Sequence, residues 1–115
     1  MRNTLKNSLE FGKVYKRGRS FADGLLAVYV LKKEDQNLRL GISVSKKVGN
    51  SVVRHRITRL IRESFRNSRA NVKNGYDIVV VARSKAKGKN YFEINEAFLK
   101  LLNMHRIIEK KNEFK

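Results

Sequence analysis

The sequence contains no cysteine, no proline and no tryptophan, and only 10 of its 115 residues are Asp or Glu. Without cysteine, disulfides and thiolate metal sites are excluded. Without proline, turns and helix ends must be formed by glycine and polar residues. A long apolar span is also missing, and the N-terminal MRNTLKNSLEF lacks the apolar core of a signal peptide. These absences predict an intracellular, cytoplasmic protein without a membrane partner.

The few acids contrast with 27 Lys or Arg residues, so the formal net charge is +17 at pH 7. This charge exceeds what solubility requires and is typical of a protein that binds nucleic acid. The length suits one domain, which would bury roughly two-thirds of the surface of its unfolded chain. We therefore expect a single binding domain over residues 1–115.

Basic residues are concentrated in the stretch from Lys46 to Arg69, KKVGNSVVRHRITRLIRESFRNSR, where Glu63 is the single acid. Apolar residues recur there at helical spacing and share one side of a helical wheel; they are Val53, Ile57, Leu60, Ile61 and Phe65. Arginines gather on the opposite side with His55 among them; they are Arg59, Arg62, Arg66 and Arg69, with Arg54 and Arg56 flanking the apolar side. The pattern predicts an amphipathic helix over about residues 50–69, with Asn50 or Ser51 as its N-cap.

A charged helix face is usually only a solvated surface, in which acids and bases are mixed. Here arginine is repeated beside arginine with almost no acid between, and this repulsion opposes folding unless phosphates supply the counter-charge. Arginine also suits phosphate because its planar guanidinium can donate two parallel hydrogen bonds. The helix therefore favours a polyanionic partner.

Other elements follow from spacing. A first short helix is expected after Asn7, with Phe11, Val14 and Tyr15 at core spacing and Gly18 closing it as the C′ residue. Strands are expected at 20–31, at 38–45, where apolar and polar residues alternate, and at 76–83, a continuous apolar run typical of burial on both faces. The order strand, helix, strand predicts that the last two are parallel. A final helix begins at an Asn90–Glu93 capping box.

The residues themselves suggest no catalytic site. The acids are scattered, His55 and His105 are far apart in the sequence, and KKVGNS lacks the glycine spacing of a phosphate-binding loop. The chain is interpreted as a binding protein.

The segment SVSKKVGNSVVRHRITRLIRESFR resembles the signature helix of the bacterial ribonuclease P protein family. The segments LKNSLEFGKVYKRG, RLGISVSKK and YDIVVVAR follow the order of that family. Two positions depart from the signature: the central Arg-Asn-Arg of the family is Arg54-His55-Arg56 here, and Thr58 replaces a usual basic residue.

The resemblance implies an α/β (α+β) single RNA-binding domain with the element order α-β-β-β-α-β-α. It implies a small mixed sheet packed by helices, ribosomal-protein-like, with a left-handed βαβ crossover. Sequence reasoning alone would predict a right-handed crossover, as in about 98% of cases. The tail, about residues 109–115, is expected to be frayed.

The resemblance also implies the function of a ribonuclease P protein subunit. Such a subunit binds the catalytic RNA and the 5′ leader of precursor tRNA and assists Mg²⁺-dependent endonucleolytic removal of the leader. The RNA supplies the active site and binds most of the Mg²⁺, so neither a catalytic residue, a metal ligand nor a small-molecule substrate is expected for this chain.

The family's RNA-binding positions correspond to Lys46, Lys47, Asn50, Arg54, His55, Arg56, Arg59, Arg62, Arg66 and Arg69. Its leader-binding cleft corresponds to Phe11, Tyr15, Tyr29 and Ser43, with Arg59 and Arg62 nearby. This assignment places the aromatic residues of the first helix on an exposed surface instead of in the core, because unpaired bases stack on exposed rings.

Three alternative functions remain open. A general RNA-binding ribosomal or ribosome-assembly protein would have the same charge and a similar layout. A DNA architectural protein would usually offer apolar wedges or a helix–turn–helix, which the sequence does not suggest. A free-standing nuclease is disfavoured because acids are scarce.

Overall fold

The computed structural model describes residues 4–109. Within them, three helices and four strands follow one another as α1 (Ser8–Arg17), β1 (Arg19–Ala22), β2 (Leu26–Lys32), β3 (Leu38–Ser43), α2 (Ser51–Ser68), β4 (Tyr76–Ala82) and α3 (Tyr91–Met104). Short 3-10 turns follow α2 at Arg69–Asn71 and β4 at Ser84–Ala86. The expected α-β-β-β-α-β-α order is confirmed. Of the tail that is expected to be frayed, all but Glu109 lies outside the described residues.

The four strands form one mixed sheet in the order β1-β2-β4-β3. β4 pairs antiparallel with β2 and parallel with β3, and Val79 of β4 lies opposite both Tyr29 and Gly41. The predicted parallel pairing is therefore confirmed. The central position of β4 explains its continuous apolar sequence, because Ile78 and Val79 are both fully buried although they face opposite sides of the sheet.

The expected strand over residues 20–31 is wrong as a single element, because the chain reverses at Asp23. The Asp23 carboxylate accepts hydrogen bonds from the backbone N–H groups of Leu25 and Leu26, at 2.8 and 2.9 Å. The Asp23 N–H donates to the Leu26 carbonyl at 2.9 Å. These bonds satisfy the backbone at a tight turn, so β1 folds back as an antiparallel partner of β2. The Asp23-Gly24 pair was the sequence signal for this turn.

Gly18 follows the last residue of α1, as predicted. Its φ is −81° and its ψ is 167°, which is extended backbone. A Cβ at this position would lie 2.6 Å from the Val14 carbonyl oxygen and 2.8 Å from that of Val30. Glycine is therefore required because the end of α1 passes directly against β2.

The sheet has a fully covered face and a half-covered face. α2 and α3 cover the first face with a large core that includes Leu26, Val28, Leu40, Ile57, Ile61, Ile78, Phe98 and Leu101. α1 packs on the second face through Val14, which is fully buried beside Val79 and Leu5. Because one short helix covers this face, aromatic side chains at its margin remain accessible. None of the helices in residues 4–109 is both long and apolar enough to span a membrane.

Candidate nucleic-acid interface

α2 begins at Asn50, whose side-chain oxygen accepts a hydrogen bond from the Val53 N–H at 2.9 Å. Ile57, Ile61 and Phe65 are buried in the large core, and Val53 and Leu60 are partly buried against it. The opposite face is exposed and includes His55, Arg56, Arg59, Arg62 and Arg66. The predicted division of this helix into an apolar face and a basic face is confirmed.

Some basic residues of the predicted RNA-binding set also have structural contacts. Arg54 is half-buried, and its Nε donates to the Gly49 carbonyl at 3.2 Å. Nη1 of Arg56 donates to the Lys89 carbonyl at 2.9 Å, which ties α2 to the segment before α3. Arg69 lies beyond α2, with its guanidinium carbon 5.5 Å from the centre of the Phe65 ring.

The remaining members of the set lie at the two ends of the helix. Lys46 and Lys47 are exposed in the turn before α2. Arg66 is exposed and forms an ion pair with Glu63. Thr58, at a position that is usually basic in the family, is part-buried and its hydroxyl donates to the Arg54 carbonyl at 2.9 Å.

A groove of about 800 Å³ lies between α2 and β3; we call it the sheet-edge groove. Its lining residues come from the N-terminal segment, α1, β3 and the α2 region: Thr4, Leu5, Phe11, Leu40, Gly41, Ile42, His55, Arg59, Arg62, Glu63, Phe65, Arg66 and Arg69. The Leu5 N–H donates to the Leu40 carbonyl at 3.0 Å, so the N-terminal segment runs along β3. The groove thus brings Phe11 together with Arg59 and Arg62.

Phe11, Tyr15 and Tyr29 form a continuous aromatic cluster across α1 and β2. The ring centres of Phe11 and Tyr15 are 6.4 Å apart, and those of Tyr15 and Tyr29 are 4.9 Å apart with the rings nearly perpendicular. Tyr15 is 39% exposed, whereas Val14 beside it is fully buried. Helical spacing therefore identified the core correctly at Val14, while the neighbouring rings lie at the margin of that core.

Gly41 was not singled out by sequence reasoning, although it determines where the Phe11 ring lies. A Cβ at Gly41 would be 2.6 Å from Cζ of Phe11 and 3.0 Å from Cδ1 of Leu5. The sequence pointed to Gly41 only through its position among the residues that alternate with the apolar ones in β3. The absence of a side chain lets Phe11 lie directly on the strand.

Ser43 lies two residues beyond Gly41 on the same side of β3. It pairs with Val81, whereas Gly41 pairs with Val79, which in turn pairs with Tyr29. Ser43 is therefore one row along the sheet from Tyr29, on the face that α1 half covers. It does not line the sheet-edge groove.

An ion-pair cluster that sequence reasoning missed holds α1 on this face. Arg39 contacts buried Asp77 on β4 and Glu10 on α1, and Lys33 lies 3.2 Å from Asp77. The hydrogen bonds to Asp77 raise the pKa of Arg39. The Lys6 N–H and the Arg39 guanidinium lower the pKa of the Glu10 carboxyl. The sequence feature that could have indicated this cluster is Asp77 itself, the one acid within the apolar strand β4.

A second groove of about 600 Å³ lies on the other side of α2, next to the start of α3; we call it the α3 groove. Its lining residues are Val52, His55, Arg56, Arg59, Leu60, Glu63 and Tyr91. His55, Arg59 and Glu63 line both grooves, so they form a ridge between them. Sequence reasoning missed Tyr91, because helical periodicity does not reveal which helix lies beside α2.

The two histidines have different surroundings. His55 is exposed on the ridge, whereas His105 follows α3 and its Nε2 lies 2.8 Å from the Val28 carbonyl oxygen. The His105 ring packs against Phe21 with ring centres 4.8 Å apart. Among residues 4–109, no group of three His, Cys, Asp or Glu side chains is placed to hold a metal ion.

Comparisons with known proteins agree with this architecture. A family model described as Ribonuclease P matches residues 1–106. The ribonuclease P protein component of Lachnoclostridium phytofermentans is 59% identical over 108 residues, which cover 94% of this chain and 93% of that protein.

Two solved structures are also similar to this chain. The RNase P protein of Staphylococcus aureus superposes with a TM-score of 0.87 at 34% identity, over 95% of this chain and 100% of that one. The RNase P protein of Thermotoga maritima superposes with a TM-score of 0.82 at 30% identity, over 90% of this chain and 97% of that one.

Proposed function

The chain belongs to the bacterial ribonuclease P protein family and has the role of protein subunit in that tRNA-processing endoribonuclease; from this premise we propose which of its surfaces bind which RNA. The exposed face of α2 binds the catalytic RNA, and the aromatic cluster with the adjoining sheet-edge groove binds the 5′ leader of precursor tRNA. The complex acts in the cytoplasm.

The observation that supports the leader site most directly is the position of Phe11, which belongs to both the aromatic cluster and the sheet-edge groove. An unpaired strand needs flat rings for its bases and cations for its phosphates. Tyr15 and Tyr29 provide the rings. Phe11 packs against Tyr15 and lines the same groove as Arg59 and Arg62, which provide the cations. Ser43 adds a hydroxyl on the same face of the sheet. The leader is single-stranded, so its bases are free to stack there.

The proposed contact with the catalytic RNA uses the rest of the basic set: Lys46, Lys47, Asn50, Arg54, His55, Arg56, Arg66 and Arg69. Asn50 uses its side-chain oxygen to cap α2, so its amide nitrogen remains as the donor to RNA. Imidazole can also donate to or accept from RNA at position 55. Arg54 and Arg56 have backbone contacts that hold their guanidinium groups in place. A surface positioned in this way loses less side-chain entropy on binding.

We propose that Mg²⁺, which supports hydrolysis of the phosphodiester in this family, is held mainly by the RNA. Mg²⁺ is usually bound through phosphate oxygens and retained waters with only one or two carboxylates. The chain's own residues bind and orient the leader rather than take part in bond cleavage. A general ribosomal or ribosome-assembly role is not favoured, because the family match extends over residues 1–106.

The function is tested by adding the protein to a bacterial ribonuclease P RNA at low Mg²⁺. Affinity and cleavage rate are compared for precursor tRNA and for mature tRNA, with and without protein. The proposal expects tighter binding of the leader-bearing substrate alone and faster cleavage. Binding of RNA without any change in either quantity would contradict it and would restore the ribosomal alternative.

A further inference from the structure

We propose that the α3 groove is a second RNA-binding site, which holds an unpaired nucleotide of the catalytic RNA between α2 and the start of α3. This inference rests on the proposed function, because it requires the chain to bind that RNA. It adds residues outside the family-derived set, principally Tyr91, Phe92 and the lysines of the segment at 85–89.

The first argument is the chemistry of the groove lining. Val52, Leu60 and Tyr91 supply apolar surface, and His55, Arg56 and Arg59 supply donors and positive charge. Val52 is 75% exposed although it lies in a helix whose other apolar residues are largely covered. A groove with an aromatic and apolar surface and cationic walls suits a nucleotide, because a base needs a flat apolar contact and its phosphate needs cations.

The second argument is the pair of aromatic residues that begin α3. Phe92 is 76% exposed, and its ring centre lies 5.7 Å from that of Tyr91 with the rings at 73°. The Tyr91 hydroxyl accepts a hydrogen bond from Nδ2 of Asn67 at 2.9 Å, which joins α3 to α2. Tyr91, which lines the α3 groove, is therefore held in place, and Phe92, which is not itself a lining residue, packs against Tyr91 and is open to a ligand.

The third argument is the local charge. Lys85 and Lys87 are exposed, and neither has an ion pair with a carboxylate of residues 4–109. Two of the nearby acids have partners, whereas Glu96, one turn beyond Phe92 in α3, is exposed and has no ion pair within residues 4–109. Glu63 pairs with Arg66, and Glu93 accepts the Asn90 N–H in the capping box of α3 and lies 3.9 Å from Lys89. The bases around the start of α3, which are Arg56, Lys85, Lys87 and Lys89, outnumber Glu93 and Glu96, so this surface keeps a net positive charge.

The ridge of α2 separates the sheet-edge groove, proposed for the leader, from the α3 groove. His55 and Arg59 line the sheet-edge groove and the α3 groove alike. A helix with its side chains is about 10–12 Å wide, so catalytic RNA that lies on the exposed face of α2 can reach the α3 groove while the leader occupies the sheet-edge groove. The bond from Arg56 to the Lys89 carbonyl keeps the 85–89 segment beside the helix. A protein partner is less suited, because it would have to neutralise this cationic rim.

The test measures the affinity of the protein for ribonuclease P RNA without tRNA. Phe92→Ala is expected to weaken binding by roughly tenfold, the effect of losing one base stack. Met104→Ala is the matched control, because Met104 is 46% exposed near the other end of the same helix. Lys87→Gln should lower the slope of log affinity against log salt by about 0.7–0.9, whereas Lys32→Gln, at the opposite end of the sheet, should leave the slope unchanged.

Chemical probing of the RNA gives a second readout. The wild-type protein should protect at least one unpaired nucleotide that becomes reactive again with Phe92→Ala. Unchanged affinity, slope and probing pattern with Phe92→Ala and Lys87→Gln would overturn the inference. A loss of affinity that appears only when precursor tRNA is present would also overturn it, since the groove would then bind substrate. A variant that changes only the self-association of the free protein, and not its affinity for the RNA, would overturn it as well.

Failure of this inference can be told apart from failure of the proposed function. The wild-type protein is assayed in parallel for preference between precursor and mature tRNA. If that preference is present and Phe92→Ala still binds the RNA normally, only the α3 groove is wrongly assigned. If the wild-type protein lacks the preference, the proposed function fails whatever the variant does.

Discussion

Arg39 and Asp77 lie opposite each other on parallel strands and form a bidentate ion pair. Nε and Nη2 of the guanidinium donate to the two carboxylate oxygens of Asp77, each at 2.9 Å. The third nitrogen, Nη1, donates to Glu10 on α1 at 3.1 Å. One guanidinium thus joins two strands of the sheet to the helix that contains Phe11 and Tyr15. The position of the proposed leader site depends on this contact as well as on apolar packing.

Arg39→Met should destabilise the protein by about 3–5 kcal/mol, because it leaves the buried Asp77 carboxylate with Lys33 alone. Chemical denaturation measures the loss. The double variant Arg39→Met/Asp77→Leu should recover much of it, since neither charge then remains buried. Equal stability of Arg39→Met and wild type would show that solvent already satisfies Asp77.

Gly41→Ala should displace the Phe11 ring, because the new Cβ would lie 2.6 Å from Cζ of Phe11. We expect a loss of about 1–3 kcal/mol in the free energy of unfolding and weaker binding of leader-bearing substrate. Gly12→Ala is the control on α1 itself, where a Cβ meets nothing within 4 Å. That change should instead stabilise by about 0.5–1 kcal/mol, as alanine does in a helix interior.

Tyr15→Ala and Tyr29→Ala should each weaken binding of precursor tRNA to the holoenzyme by about 1–3 kcal/mol, the value of one base stack. Binding of mature tRNA should not change, because it lacks the leader. Leu9→Ala serves as the control, since Leu9 is on the same helix and is 82% exposed. An equal loss with mature tRNA would place these rings in a structural role.

Arg59→Ala and Arg62→Ala should weaken RNA binding and flatten its dependence on salt. Each lost phosphate contact should remove about 0.7–0.9 from the slope of log affinity against log salt. The measurement is a titration at several salt concentrations, with Lys32→Ala as a control at the far end of β2. An unchanged slope for both arginines would place them outside the interface.

Stability should fall as the pH drops through the ordinary range of histidine, near 6.5. Burial lowers the pKa of His105 in the folded protein, despite the hydrogen bond to the Val28 carbonyl, and Arg19 lowers it further. The unfolded state therefore binds a proton at higher pH than the folded state, and protonation favours unfolding. The free energy of unfolding, measured by denaturation at several values between about pH 5 and 8, should fall with falling pH in wild type and in His55→Gln. His105→Gln should lack this dependence.

Much of the chain follows from local sequence. The apolar spacing of α2 correctly assigned Ile57, Ile61 and Phe65 to the core, and Asn50 and Asn90 cap the helices that follow them. These features depend on residues within one or two turns of each other, so their spacing in the sequence is enough. The error at residues 20–31 was also local, because the turn is closed by hydrogen bonds between Asp23 and the backbone of Leu25 and Leu26.

The sequence by itself therefore determined the basic and apolar faces of α2 and, through its resemblance to a family, the order of elements and the role in tRNA processing. Only the tertiary structure decided the rest. It placed Phe11 on Gly41, paired Arg39 with Asp77 across 38 positions of sequence, and made α2 a ridge between two grooves. The physical reason is that these contacts depend on which strands become neighbours, and the order β1-β2-β4-β3 is set by packing of the whole sheet rather than by the periodicity of any one segment.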